Sequence, residues 1–308
     1  MPNTLAHIGF QGITTKSIFK YADLKWIYIG CIIPDFPWIV QRVLKTTNLF
    51  NLYDVRDYSI ILATFLFCII FSAAVSFFSR DYKRVFLILV FSSFFHLMLD
   101  PLQIKWANGV HLFAPFSWHL LSFNFFWPES LPTYIITAFG FVYFILTYKK
   151  ATGEYSDLVV PDLKRTLLSE TLLLLYFIIP LFILNLPEQH NNHFVKTLRG
   201  YGTRTGKYIE LDRARYIPEV NGNFIKTFAN EKIKAANLKL ENEHLISIKG
   251  KFISPDEMYI EDYHIHTKFR DDTSLIGISL TAILWLNCIY LAGKQRKDDL
   301  SATTLKSS

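Results

Sequence analysis

Long uncharged apolar runs alternate along the chain with short basic turns, and one polar stretch interrupts the alternation late. Residues 60–78 carry no charged side chain, and 85–100 stay apolar until His96 and Asp100. Residues 131–148, 171–186 and 273–292 repeat the pattern. Each run approaches the roughly 20 apolar residues that a helix needs to cross a bilayer. The pattern therefore predicts five long spans, with Pro180 kinking the fourth. Residues 1–59 differ. The run over 26–33 is stopped by Pro34-Asp35-Phe36-Pro37, since each proline removes a backbone donor and restricts the residue before it. Two short or half-inserted helices are expected there, an arrangement tolerated at membrane depth where protein covers the backbone or it lines a wet cavity.

Residues 188–272 are long and polar enough for a separate domain. Short alternating runs at 208–211, 245–248 and 258–266 are separated by the turn signals Asn221-Gly222-Asn223 and Ser254-Pro255-Asp256. Some five short strands predict a small β-barrel or sandwich of OB type. The fold class is an α-helical integral membrane protein with an inserted extracytoplasmic β domain. Its parts are a polytopic membrane domain over 1–187, the β-rich domain over 188–272, and a final span with a cytoplasmic tail over 273–308.

The basic turn 79–84, the loop 149–165 and the tail after 292 fall on one side if the five spans alternate, and the positive-inside rule makes that side cytoplasmic. The loop 101–130, whose only Lys or Arg is Lys105, then lies outside with the β domain, in a plasma (inner) membrane protein. Its many aromatics predict a belt at the headgroups. Composition agrees: 51% of the 308 residues are hydrophobic and 16% aromatic, too apolar for an ordinary soluble domain. The formal charge of +6 is modest. The 188–272 stretch balances 14 Lys/Arg against 13 Asp/Glu, which argues against nucleic acid as a partner. Cys31, Cys68 and Cys288 lie in apolar runs without ligand spacing, so neither a disulfide nor a zinc knuckle is expected. No cleavable signal peptide is evident after Met1.

His96 and Asp100 are four residues apart, on one helix face. Ionisable groups at membrane depth are costly and are functional candidates. This pair suits a metal site or a proton relay, or packs two helices together. Asp35 ends the short apolar helix, as a ligand or a turn residue. His7 opens the chain in an amphipathic stretch. Asp54, Arg56 and Asp57 flank a span and read as solvated charges. Of His111 and His119, His111 is the better candidate, 11 residues after Asp100. His264 and His266 share one strand face, a chelating spacing that more often marks a wet sheet surface.

In order, His7, Gly30 with Pro34-Asp35, His96-Leu97-Met98-Leu99-Asp100 and the run from Gly109 to Trp118 resemble the DUF457/YdjM-like family of membrane-bound metal-dependent hydrolases, over about residues 1–130. The resemblance implies a metal site at the membrane surface built from His7, Asp35, His96 and Asp100. Two positions depart from the family pattern. Pro37 stands where a second acid is usual, and Tyr58 where a histidine is usual, with Asp54 or Asp57 as substitutes.

The expected function is a membrane-bound hydrolase. His7, Asp35, His96, Asp100 and His111 would hold a divalent metal, zinc by the mixed ligand set. Asp35, His96 and Asp100 would serve catalysis on a phospholipid or other lipid-linked ester at the outer interface. The alternative is a non-catalytic membrane protein whose β domain binds an envelope partner. A transporter with broken helices is a third reading, weakened by the lack of an internal repeat.

Overall fold

The computed structural model describes residues 3–47, 49–153 and 157–307. Eight helices come first: α1 (Thr4–Ile18), α2 (Leu24–Ile32), α3 (Phe36–Thr47), α4 (Leu52–Leu62), α5 (Phe65–Ser76), α6 (Tyr82–Leu99), α7 (Leu131–Gly153) and α8 (Leu163–Ile178). Two short helices follow, α9 (Leu186–His190) and α10 (Val195–Arg199). Strands β1 (Tyr208–Glu219), β2 (Gly222–Lys226), β3 (Lys232–Ala235), β4 (His244–Ser254) and β5 (Glu257–His266) precede the long α11 (Phe269–Ser307).

Five helical stretches among the described residues are long and apolar enough to cross a membrane: Leu24–Thr47, Tyr82–Leu102, Leu131–Gly153, Leu163–Phe182 and Phe269–Asp298. The number agrees with the sequence reading; the membership does not. Residues 60–78 are not one straight helix: α4 and α5 meet at 74°, as a broken span or a re-entrant pair, and counting them as one span makes six. Thr64 leaves helical geometry with ψ 158° and opens α5. The charged half of α4 is held elsewhere. Asp54 and Asp57 both pair with Arg199 of α10, and the Tyr53 hydroxyl reaches Glu231. A straight span would break these ties.

Conversely, Leu24–Thr47 continues through both prolines. Pro34 lies in the 3-10 turn Ile33–Asp35, and Pro37 is the second residue of α3. In a first turn the missing N–H has no helical acceptor to lose, and the fixed φ suits the helix. The helix α1 is short, and it is largely buried rather than amphipathic, packed against α2, α6, α7 and α11. The fourth span starts earlier than expected, at Leu163, and Pro180 sits in its terminal 3-10 turn. Ile135, Leu146, Leu174, Leu286 and Ile289 of the outer helices are exposed, an apolar surface suited to lipid.

Two close approaches set the depth of α1 and α2. A Cβ at Gly140 of α7 would overlap the Leu5 carbonyl of α1, and one at Gly30 of α2 would press on Ser92 of α6. Without side chains at these crossings the backbones come together, bringing the Cys31 carbonyl against α6 and His7 beside it.

One end of the bundle gathers the basic turns. Asp157 accepts from the Trp26 indole at 2.7 Å, Lys25 at 2.5 Å and the Ser79 hydroxyl at 3.1 Å, while Arg296 reaches the Leu158 carbonyl. The β domain and residues 101–130 occupy the other end. The strands close into a barrel in the order β1-β2-β3-β5-β4, with β3 and β5 parallel and the other pairs antiparallel. Ile209, Ile225, Ile233, Ile246 and Ile248 fill it. β1 bulges between Leu211 and Ala214, where Arg213 takes a positive φ of 53°. A bulge re-aims side chains next to the ladder; here it turns Asp212 and Arg213 out of the barrel wall toward the helices.

Candidate metal centre

α6 ends where the bundle meets the barrel. His96 lies in its last turn, and Asp100 opens the 3-10 turn that follows. The one-turn spacing places both on the face toward α1 and α2. His7 Nε2 lies 3.3 Å from Asp100 Oδ1, and His96 Nε2 lies 3.5 Å from Asp35 Oδ1 and 3.8 Å from Asp100 Oδ1. The His7 and His96 rings stack at 3.8 Å, 1° from parallel. The ligand atoms of His7, His96 and Asp100 all lie within 4.8 Å of one another. These residues can hold a metal ion, and Asp35 adjoins them through His96.

The supporting bonds decide which atoms point inward. His96 Nδ1–H donates to the Cys31 carbonyl at 2.6 Å, so its Nε2 carries the lone pair. A backbone carbonyl holding the far ring nitrogen is a usual support of a metal-binding histidine. Gln11, one turn after His7, bonds its Nδ1 at 3.1 Å and accepts from the Cys31 thiol at 2.9 Å. As placed, the Gln11 amide donates to Nδ1, so His7 Nε2 carries its proton toward Asp100 Oδ1; a half-turn of the amide, at the cost of the Cys31 thiol bond, would free the Nε2 lone pair for a metal. Lys105 Nζ takes the other oxygen of Asp100 at 3.6 Å, so Oδ1 faces the histidines. His7 Nε2, His96 Nε2, Asp35 Oδ1 and Asp100 Oδ1 are buried without a hydrogen-bond partner among the described residues. Lone pairs opposed at these distances repel unless a proton or cation sits between them.

The sequence-predicted His111 does not join this group. Its Nε2 lies 3.0 Å from His193 Nε2, and its ring packs on Trp118. One ring donates and the other accepts, so the pair is neutral. Burial lowers the His111 pKa to about 4, and burial with the neighbouring His111 pushes His193 well below its ordinary value. Asp54 and Asp57 bind Arg199 and substitute for no ligand. The Tyr58 hydroxyl donates to the Phe177 carbonyl, and Pro37 lies buried in α3.

His266 is buried, and His264 is half-buried beside it. Glu129 bridges them, 3.2 Å from His264 Nε2 and 3.0 Å from His266 Nδ1, and Trp127 stacks on His264 at 3.7 Å. This second group also has metal-ligating geometry. Burial raises the Glu129 carboxyl, but the bonds from His266 and His264 outweigh it and bring it to about 2. The aromatic loop is accordingly more than a belt. Trp106 packs under Lys249 and Trp118 is buried, while Phe113, Phe116 and Phe125 stay exposed.

Above Asp100 a cavity of about 360 Å³ opens between the bundle and the barrel, with Pro34, Leu97 and Lys105 among its lining. Asp212 reaches it from the β1 bulge, and burial, which raises its pKa, is outweighed by Arg270 and the Asn108 amide, so it stays low. Sequence reasoning missed Gln11, Lys105, Glu129, His193 and Arg213. Gln11 was legible from its one-turn spacing to His7, and Lys105 from its isolation in an otherwise uncharged stretch. The others had no local signal. No family model, curated protein or solved structure matches the chain.

Proposed function

We propose that this chain is a membrane-bound metal-dependent hydrolase acting at the outer membrane–water interface on a phospholipid or other lipid-linked ester. The convergence of three buried ligand atoms, His7 Nε2, His96 Nε2 and Asp100 Oδ1, with Asp35 Oδ1 3.5 Å from His96 Nε2 and none of the four hydrogen-bonded among the described residues, carries the reading. Two imidazoles with a carboxylate favour zinc, which when bound lowers the pKa of a water and polarises the ester oxygen. His7, His96 and Asp100 would hold the ion. Asp35, buried beside His96, would serve as the proton acceptor for a water activated there. Lys105 orients Asp100.

The gathering of basic turns at the far end supports a cytoplasmic assignment for that end by the positive-inside rule, with the site and the barrel on the extracytoplasmic side of the plasma membrane. The barrel's strand order supports an OB-like assignment. An amphiphilic substrate is supported by α3, whose Trp38, Gln41 and Arg42 line the polar cavity while its Phe36, Val40 and Leu44 line an apolar groove of about 270 Å³. The partner-binding alternative is weakened because the barrel contributes Asp212 and Arg213 to the cavity. The ordered motifs resembling the DUF457/YdjM-like family point the same way.

Metal analysis of the purified protein beside a His96→Ala variant tests the proposal. Metal in the wild type that is lost from the variant supports it; equal, near-zero metal in both sinks it.

A further inference from the structure

The cavity above the candidate metal centre is lined by five basic and three acidic side chains. Besides the exposed Arg42, which pairs with Asp271, three arginines reach it from separate parts of the chain: Arg56 from α4, Arg213 from the β1 bulge and Arg270 from the start of α11. Arg270 is only 8% exposed. Nη1 of Arg270, Nη1 of Arg213 and Nε of Arg56 are buried without a hydrogen-bond partner among the described residues. The facing acids engage other atoms, apart from Glu129, whose Oε1 stands 3.7 Å from Arg213 Nη1, beyond hydrogen-bond reach. Asp271 takes Arg213 Nη2 at 2.6 Å, and Asp212 takes the Asn108 amide and the Ser247 hydroxyl. The Arg56 guanidinium lies 4.8 Å from the Trp38 ring and 5.3 Å from the Phe228 ring, which hold it in place.

A buried guanidinium N–H without an acceptor is costly. Holding three around one space is stable when a ligand supplies the acceptors. Guanidinium groups approaching from different directions match the oxygens of a tetrahedral oxyanion and bind it bidentately, and the excess of positive charge favours a dianion. A carboxylate offers two coplanar oxygens and would satisfy one fork. Asp100 lines the same cavity, so an anion held here lies beside the metal group.

We infer that Arg56, Arg213 and Arg270 form a phosphate-binding pocket, and that the substrate of the adjoining centre carries a phosphate group. The inference rests on the hydrolase reading for the ligand's being a substrate; phosphate binding itself needs no metal. The experiment therefore uses the full chain in detergent after chelation and dialysis. Inorganic phosphate is titrated by calorimetry into the wild type, Arg56→Gln, Arg270→Gln and the rim control Arg215→Gln. Arg215 is exposed on the barrel and pairs with Glu243. Saturable binding by the wild type and the control, weakened about tenfold or more in either cavity variant that keeps its thermal transition, is expected. No binding by the wild type, or equal binding by Arg56→Gln with its transition intact, overturns the inference. If both cavity variants unfold, Arg56→Lys decides, since a point charge loses the bidentate fork and weakens binding; wild-type affinity there overturns it too. Displacement of bound phosphate by short-chain phosphatidic acid, and not by the matching diacylglycerol, assigns the phosphate to a lipid headgroup; no displacement by either assigns it to a soluble phosphate ester. Because metal is removed beforehand, failure here leaves the His96→Ala metal result standing, and loss of the metal reading leaves phosphate binding standing.

Discussion

Among its described residues the protein holds two clusters of histidine and carboxylate with similar ligand geometry and different chemistry. In the bundle, His7, His96 and Asp100, with Asp35 beside them, turn unpartnered atoms toward one point, and Gln11 and the Cys31 carbonyl support the rings from behind. At the barrel, Glu129 already bonds both His264 and His266, the far nitrogen of His266 meets the Ser247 hydroxyl, and Arg213 stands 3.7 Å from Glu129. A cation beside the carboxylate and satisfied ring nitrogens describe a clamp between residues 101–130 and the barrel. Proximity of ligand residues is therefore a weak criterion. What separates a metal centre from a clamp is whether the inward atoms are already satisfied, and what holds the outward ones.

The comparison breaks most sharply on metal content. His96→Ala should lose more than the roughly 10–100-fold in metal affinity typical of losing a supporting bond, whereas Glu129→Gln should bind metal like the wild type, measured by elemental analysis after dialysis against graded zinc. A fall in both would make the barrel group a second metal site. Glu129→Gln should instead cost about 2 kcal/mol of stability by removing charge-assisted bonds, read as a lowered Tm.

Acidification sharpens the comparison on the barrel side. The His111 pKa is depressed to about 4 from an ordinary 6.5, so the unfolded state binds the proton more tightly and stability falls as pH drops from 6.5 toward 4. At pH 5 the loss from this residue is about 2 kcal/mol. Glu129, also depressed, adds its loss only below 4.5. A Tm unchanged between pH 7 and 5 would contradict the neutral His111–His193 pair, and His111→Gln should flatten the first part of the curve.

The smallest effect concerns the supports. Gln11→Leu should weaken metal affinity about tenfold, near 1.4 kcal/mol, with little change in Tm. Wild-type affinity in that variant would show that the ring of His7 is fixed by packing alone.

Much of the centre was legible before folding. His96 and Asp100 share a helix face by spacing, and Asp35 and His7 stand out as ionisable groups in apolar sequence. The chain's apolar runs marked four of the five helices long and apolar enough to cross a membrane, and a polar insert of short strands, because hydrophobic length and alternation are local properties. Tertiary structure decided the rest. Pro34 and Pro37 looked like breaks, yet each falls where a helix tolerates proline. Residues 60–78 looked like a span, yet Arg199, more than a hundred residues later, holds α4 aside. His111 turned to His193 and Glu129 turned to the strand histidines because the barrel folds back over residues 101–130. Residue type and period fix which groups are costly to bury; only the packed chain decides which partners, at which distances, offset that cost.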